Sequence, residues 1–294
     1  MPDIVSQYQE QQRQEYETAF FRDLHNGHNL RHWLTEDPRL LQATHDGTTP
    51  LQWALKFREF DTLKVLLAYA KQRHILNNSQ ESPLGTAVLW LDVEMIDFLC
   101  QHAPYTVHRT DETGATPLLV LARQPSFHGS VLLFDLTHKL LRAGADVHHP
   151  GVLYQAIRQD HVAMVELFLE KGAPIPDDGL VEATLRRSLP MVQLFLRYGA
   201  DIHAQREGKT ALLWAIWLSY TDLIPTLLSL PQTPEEGRTA LQLAVQRGLV
   251  TTIQQLIQRG ARMDGTMDTQ NASLDAIYAL LRSTSPDEWH LQPK

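Results

Sequence analysis

Apolar residues recur along this chain at helical spacing. Val165 and Leu169, and again Val192 and Leu196, lie four apart on one helix face. Amphipathic stretches of this kind close alike, on Gly144-Ala145, Gly172-Ala173, Gly199-Ala200 and Gly260-Ala261. A glycine at that place predicts a helix that stops in left-handed backbone, which is cheap only without a side chain. A second signal predicts where helices begin. It is written as Gly47-Thr48-Thr49-Pro50-Leu51, Gly114-Ala115-Thr116-Pro117-Leu118, Gly208-Lys209-Thr210-Ala211-Leu212 and Gly237-Arg238-Thr239-Ala240-Leu241, with Glu81-Ser82-Pro83-Leu84 lacking only the glycine. Threonine or serine caps free amide donors, and proline in the first turn has no amide hydrogen to leave unpaired. The predicted order is turn, helix, turn, helix, many times over.

Taking the alanine after each opening signal as a ruler gives Ala54, Ala87, Leu121 (with Ala122 beside it), Ala156, Ala183, Ala215 and Ala244. Their spacings run from 27 to 35 residues, with a mean close to the 33-residue period of one kind of stacked two-helix repeat. One such unit cannot bury its apolar face alone, so stability has to come from stacking. Opening signal and Gly-Ala stop, in register, make the chain resemble an ankyrin-repeat protein over roughly residues 17 to 282. The resemblance implies an all-α solenoid of stacked helix-turn-helix units. Residues 1–43 are expected to form an N-terminal helix and a capping half-repeat, 44–263 seven repeats, 264–282 a capping helix and 283–294 a flexible tail. The units are placed at 44–76, 77–110, 111–148, 149–175, 176–204, 205–233 and 234–263.

The repeats are uneven. Gln124 to Ser130 reads as a loop inserted between the helices of the third unit, because proline and glycine fall there together. The fourth and fifth units lack the Thr-Pro-Leu signal, which predicts clipped connecting fingers and a bend near residues 149 to 183. Pro225 is expected to interrupt the second helix of the sixth unit, and Pro190 to open that of the fifth.

Bulk properties narrow the functions. The 294 residues are 43% hydrophobic and 20% charged, with net charge −8, and they hold no basic tract that would draw in nucleic acid. The longest apolar run, Ala211 to Leu218, is too short to cross a bilayer, and Met1 to Glu10 lacks the order of a secretory signal. Cys100 stands alone, so no internal disulfide forms; a cytoplasmic home is expected, or host cytosol for a secreted effector. Within Ile96-Asp97-Phe98-Leu99-Cys100 it reads as a small core filler.

The resemblance implies that the end of each first helix faces a concave groove. Those positions are Lys56/Phe57, Leu89/Trp90, Arg123/Gln124, Arg158/Gln159, Leu185/Arg186, Trp217/Leu218 and Gln246/Arg247. None of the fourteen is acidic in a chain of net charge −8, so the surface is segregated. Tryptophan and arginine dominate binding hot spots. The expected partner-binding residues are Lys56, Phe57, Leu89, Trp90, Arg123, Arg158, Arg186, Trp217 and Arg247. The opposing reading tucks Leu89, Leu185 and Leu218 between units and pairs the arginines with Glu112, Glu235 and Glu236 on the fingers. Trp53 and Trp214 fall one residue before the marker alanine and read as core.

Catalytic chemistry finds little support. His25, His28 and His32 share a helical face, but no fourth ligand is in view, so no metal and no cofactor is expected. His28 and His161 stand where repeats of this family often carry histidine. There is no phosphate-binding glycine loop and no nucleophile elbow, so no enzyme is expected. The expected function is non-catalytic: holding a protein segment, acidic or phosphorylated with apolar anchors, as inhibitor, adaptor or delivered effector. Alternatives are an immunity or chaperone protein neutralising a bacterial toxin, or a self-associating subunit. The expectation is a monomer when free, without nucleic acid or membrane.

Overall fold

A computed structural model describes residues 4–26, 29–72, 82–125, 130–149 and 151–261. His28, most of the inserted loop, the closing helix at 273–281 and the tail at 283–294 lie outside those residues. The chain divides into two compact units, residues 1–152 and 153–294.

The first unit begins with α1 (Ile4–Asn26) and α2 (Leu30–Glu36), followed by a 3-10 turn at Pro38–Gln42. Helix pairs follow: α3 (Pro50–Lys56) with α4 (Phe60–Gln72), α5 (Pro83–Leu89) with α6 (Val93–His102), and α7 (Pro117–Ala122) with α8 (Ser130–Arg142). The second unit carries α9 (Val152–Arg158) with α10 (Val162–Glu170), α11 (Gly179–Leu185) with α12 (Leu189–Arg197), α13 (Ala211–Trp217) with α14 (Ile224–Leu228), and α15 (Pro234–Gln246) with α16 (Val250–Gln258). The protein is all-helical; the described residues hold no strand, only isolated bridges at His45–Thr48 and Arg206–Lys209. No described helix is long and apolar enough to cross a membrane.

The opening signals work as caps. Thr49 Oγ1 accepts from the Gln52 amide at 3.2 Å, while Gln52 Oε1 accepts from the Thr49 amide at 3.1 Å, a reciprocal box. Ser82, Thr116 and Thr210 accept in the same way from Gly85, Leu119 and Leu213. The stops also behave as the chemistry demands. Gly144, Gly172, Gly199 and Gly260 take φ of 97°, 84°, 76° and 85°. The alanine after each donates back across the helix end, from Ala145 to Leu140 O at 3.0 Å, Ala173 to Phe168 O at 2.9 Å, and Ala200 to Phe195 O and Ala261 to Leu256 O at 3.0 Å. Each Gly-Ala step thus closes its helix by satisfying a carbonyl that would otherwise end unpaired. The ruler alanines Ala54, Ala87, Ala156, Ala183, Ala215 and Ala244 are completely buried, where a bare methyl lets helices approach.

Three expectations are corrected. Gly237-Arg238-Thr239-Ala240-Leu241 is not a turn: Gly237 is buried inside α15, which starts earlier, at Pro234, on a cap from Thr233. Thr233-Pro234 is itself an opening signal, and nothing downstream stops the helix from running through the second one. Glu235 and Glu236 therefore stand in a helix's first turn rather than on a finger. Pro225 does not interrupt a helix but opens the short α14 from its first turn. Pro190 likewise opens α12, as expected.

Between the two helices of a pair, one residue repeatedly takes left-handed backbone. Arg58, Leu91, Asp160, Arg187 and Ser219 have φ between 54° and 58°, and Gly248 has 68°. Side chains there cost conformational energy that glycine avoids. Two of them return an ion pair to the next helix pair. Arg58 meets Glu94 and, at 3.5 Å, Asp92; Arg187 meets Asp222 at 3.2 Å.

Candidate functional site

The expected binding residues share one structural address, the C-terminal end of a first helix. Lys56, Leu89, Arg158 and Trp217 are the last residues of α3, α5, α9 and α13. Phe57, Trp90, Arg123, Arg186 and Arg247 are the capping residues that follow α3, α5, α7, α11 and α15. The backbone explains why side chains are thrown outward there. The helix has ended, the left-handed turn follows at once, and the chain reverses before another residue can cover the spot.

Four of the nine are large and apolar, and all four face solvent: Phe57 at 51%, Leu89 at 60%, Trp90 at 50% and Trp217 at 39% exposure. Leu89 is therefore not tucked between helix pairs. Leu185 and Leu218 are half-buried, and Gln124 is buried. Of the two tryptophans read as core, Trp214 is buried and Trp53 half-buried.

In the first unit the aromatic surface is layered. Trp53 packs against Phe57 with ring centroids 4.8 Å apart, His25 meets the edge of Trp53 at 5.5 Å, and Lys56 Nζ lies 5.7 Å from the Phe57 ring. In the second unit Trp217 gathers cations. Arg247 lies 5.1 Å and Lys209 Nζ 5.9 Å from its ring centroid, and Lys209 also sits 4.9 Å from Trp214. Such contacts leave a cation its charge while fixing its place.

The arginines differ in availability. Arg186 is held at 3.2 Å by Glu182, a carboxylate buried one turn earlier on the same helix, and Arg206 binds that carboxylate from the next finger. Arg186 is thus tied on one side, to a carboxylate of its own helix rather than to Glu112, Glu235 or Glu236. The finger acid Asp111 is committed as well. Burial pushes its pKa up, but hydrogen bonds from Thr113 and Ala115 outweigh this and hold it below the usual carboxylate range. The Glu182–Arg206 contact joins residues 24 apart in the chain.

The fingers at 45–48 and 206–209 are two-residue hairpins. Asp46-Gly47 and Glu207-Gly208 both have positive φ at both positions, and the flanking residues exchange backbone bonds of 3.0 and 3.1 Å. This matches the turn whose twist suits a tight reversal.

Among the described residues no group of three or more His, Cys, Asp or Glu side chains is placed to hold a metal ion. Cys100 is partly covered, and burial, with Asp97 nearby, pushes its thiol up to about 11. Since the ordinary value is 9.0, its thiolate fraction at pH 8 falls about a hundredfold. Labelling by a disulfide reagent at pH 8 is expected to run about 100-fold slower in the native chain than in urea. Equal rates would show an open, reactive thiol.

A family model for ankyrin repeats (3 copies) matches residues 17–111 and 180–267. The chain is 27% identical over 248 residues to ankyrin repeat and KH domain-containing protein mask-1 of Caenorhabditis elegans, covering 76% of this chain and 9% of that protein. It is 26% identical over 222 residues to the B-cell lymphoma 3 protein homolog of Mus musculus, covering 68% of this chain and 48% of that one. Among solved structures it is similar to the ankyrin repeat domain of Bcl-3, with a TM-score of 0.54 and 25% identity, covering 72% of this chain and 100% of that chain. The chain spans less than half the length of either curated relative.

Proposed function

Because the chain belongs to the ankyrin-repeat family, we propose that it is a non-catalytic binding module that holds a segment of another protein in the groove at the ends of its first helices. The observation that carries this is the exposure of Phe57, Leu89, Trp90 and Trp217 at one recurring address. Phe57, Leu89 and Trp90 in the first unit and Trp217 in the second leave apolar surface in water, which favours a face that a partner covers in use. Lys56 and Arg123 in the first unit, and Arg158, Arg186 and Arg247 in the second, stand at the same helix-end address, which favours an acidic or phosphorylated segment with apolar anchors. The module then acts by occupancy, as inhibitor, adaptor or effector.

Affinity capture from native lysate with wild-type, Trp90→Ala and Trp217→Ala chains tests this. Each substitution is expected to weaken the captured complex by about 2 kcal/mol while lowering the thermal midpoint by only a few degrees, since both rings are half-exposed. A partner captured equally by all three chains would show that it binds elsewhere.

A further inference from the structure

We propose that Trp217, Lys209 and Arg247 form a centre that reads carboxylates, and that buried Glu182 positions it through Arg206. This rests on the groove reading and refines it. Lys209 is absent from the residues the sequence singles out, because it lies inside an opening signal rather than at a helix end.

The geometry starts from the carboxylate. Glu182 lies on α11 with its side chain 5% exposed, and it accepts from Arg186 at 3.2 Å and from the Arg206 guanidinium. Two guanidiniums thus converge on a carboxylate that has almost no access to water. Arg206 is one foot of the hairpin whose other foot is Lys209. Their amides and carbonyls exchange bonds of 3.0 and 3.1 Å, and the Arg206 carbonyl also accepts from Trp214 Nε1 at 3.0 Å. The Arg206 side chain is thus moored to one helix pair and its main chain to the next. Across a two-residue turn this fixes where the Lys209 side chain starts, and its ammonium lies over Trp214 and Trp217.

Arg247 reaches the Trp217 ring from the following helix pair. Two cations from separate elements therefore meet on one half-exposed indole, which packs edge-on against Trp214 at 5.4 Å. Among the described residues neither cation has a carboxylate at ion-pair distance. An aromatic face attracts a cation without neutralising it, so the spot keeps its positive charge beside apolar surface. The complement is an acidic protein segment with Asp or Glu on either side of an apolar residue. The net charge of −8 works against a long polyanion such as nucleic acid, which would be repelled by the rest of the surface.

The test uses the full chain and a labelled twelve-residue peptide, the tightest binder recovered by panning a random peptide library over it. Recovered peptides are expected to carry at least two acidic residues beside an apolar one. Trp217→Ala should weaken that peptide about thirtyfold, and Lys209→Gln and Arg247→Gln about five- to tenfold each. Glu182→Gln should weaken it about threefold or more in the wild-type background and less than about twofold in the Lys209→Gln background, because it works through that lysine. A merely structural role would give the same factor in both. Freeing Arg186 would tighten binding of an acidic peptide, so it cannot mimic the loss.

Binders without acidic residues, a phosphorylated form preferred about tenfold or more, or full affinity in Lys209→Gln and Arg247→Gln would each overturn the proposal. So would equal Glu182→Gln factors in the two backgrounds. If Trp90→Ala and Trp217→Ala still weaken capture of the native partner, the groove reading stands and only the acid-reading centre falls.

Discussion

Phe195→Ala is expected to lower the stability of residues 153–294 by about 3–5 kcal/mol, the range for emptying a fully buried aromatic site. Phe195 is completely buried on α12, and its ring reaches toward Gly179 at the start of α11, where a methyl would sit 3.7 Å from the ring tip. The ring tip therefore lies against a position where the neighbouring helix carries no side chain. In a stack each pair contacts only its neighbours, so the damage falls on the contacts of α11 and α12 with the helices beside them. Urea unfolding with and without the substitution measures it. The same chemical change at Phe57, half-exposed beside Trp53, should cost about 1 kcal/mol or less. Equal losses at the two positions would contradict the division between buried core and exposed residues.

That division was largely legible in the residues. Thr49-Pro50, Ser82-Pro83 and Thr116-Pro117 start helices, and the Gly-Ala steps stop them, because capping is a local matter settled within about five residues. The exposed address at the end of each first helix follows from the same local rules once the repeat is recognised. Competing local signals were harder to read. Gly237-Arg238-Thr239-Ala240-Leu241 matches the opening pattern as well as the others do, yet Thr233-Pro234 begins the helix first and Gly237 is absorbed. Hidden altogether were the contacts that join separate repeats. Glu182 looks like an ordinary helix acid until Arg206, on a finger 24 residues away, closes on it, and Lys209 looks like turn filler until that finger folds over Trp217. Such pairings depend on how one repeat sits on the next, which no periodicity encodes.

Thr210→Val should cost about 2–4 kcal/mol, although it barely changes side-chain shape, because two hydrogen bonds disappear at a buried place. Thr210 caps α13 by accepting from the Leu213 amide, and its hydroxyl donates to Glu236 Oε1 at 2.5 Å. Glu236 is on α15, its side chain 9% exposed, with His203 Nδ1 3.4 Å from its other oxygen. Losing the cap alone is worth about 1 kcal/mol. The larger share comes from a nearly buried carboxylate left without its donor, which costs about 1–3 kcal/mol. Pairing the change with Glu236→Gln separates the two. A neutral amide is cheaper to leave under-satisfied than a carboxylate, so the double variant should lose less than the two single losses combined, by about 1 kcal/mol or more. Strict additivity would mean that water already serves Glu236, and that Thr210 acts only as a cap. The residue next to Thr210 is Lys209, so this bond also fixes the hairpin to the following helix pair. Thermal unfolding of the four chains, read beside their affinity for the acidic peptide, then tells whether the interface between α13 and α15 supports the stack alone or the binding centre as well.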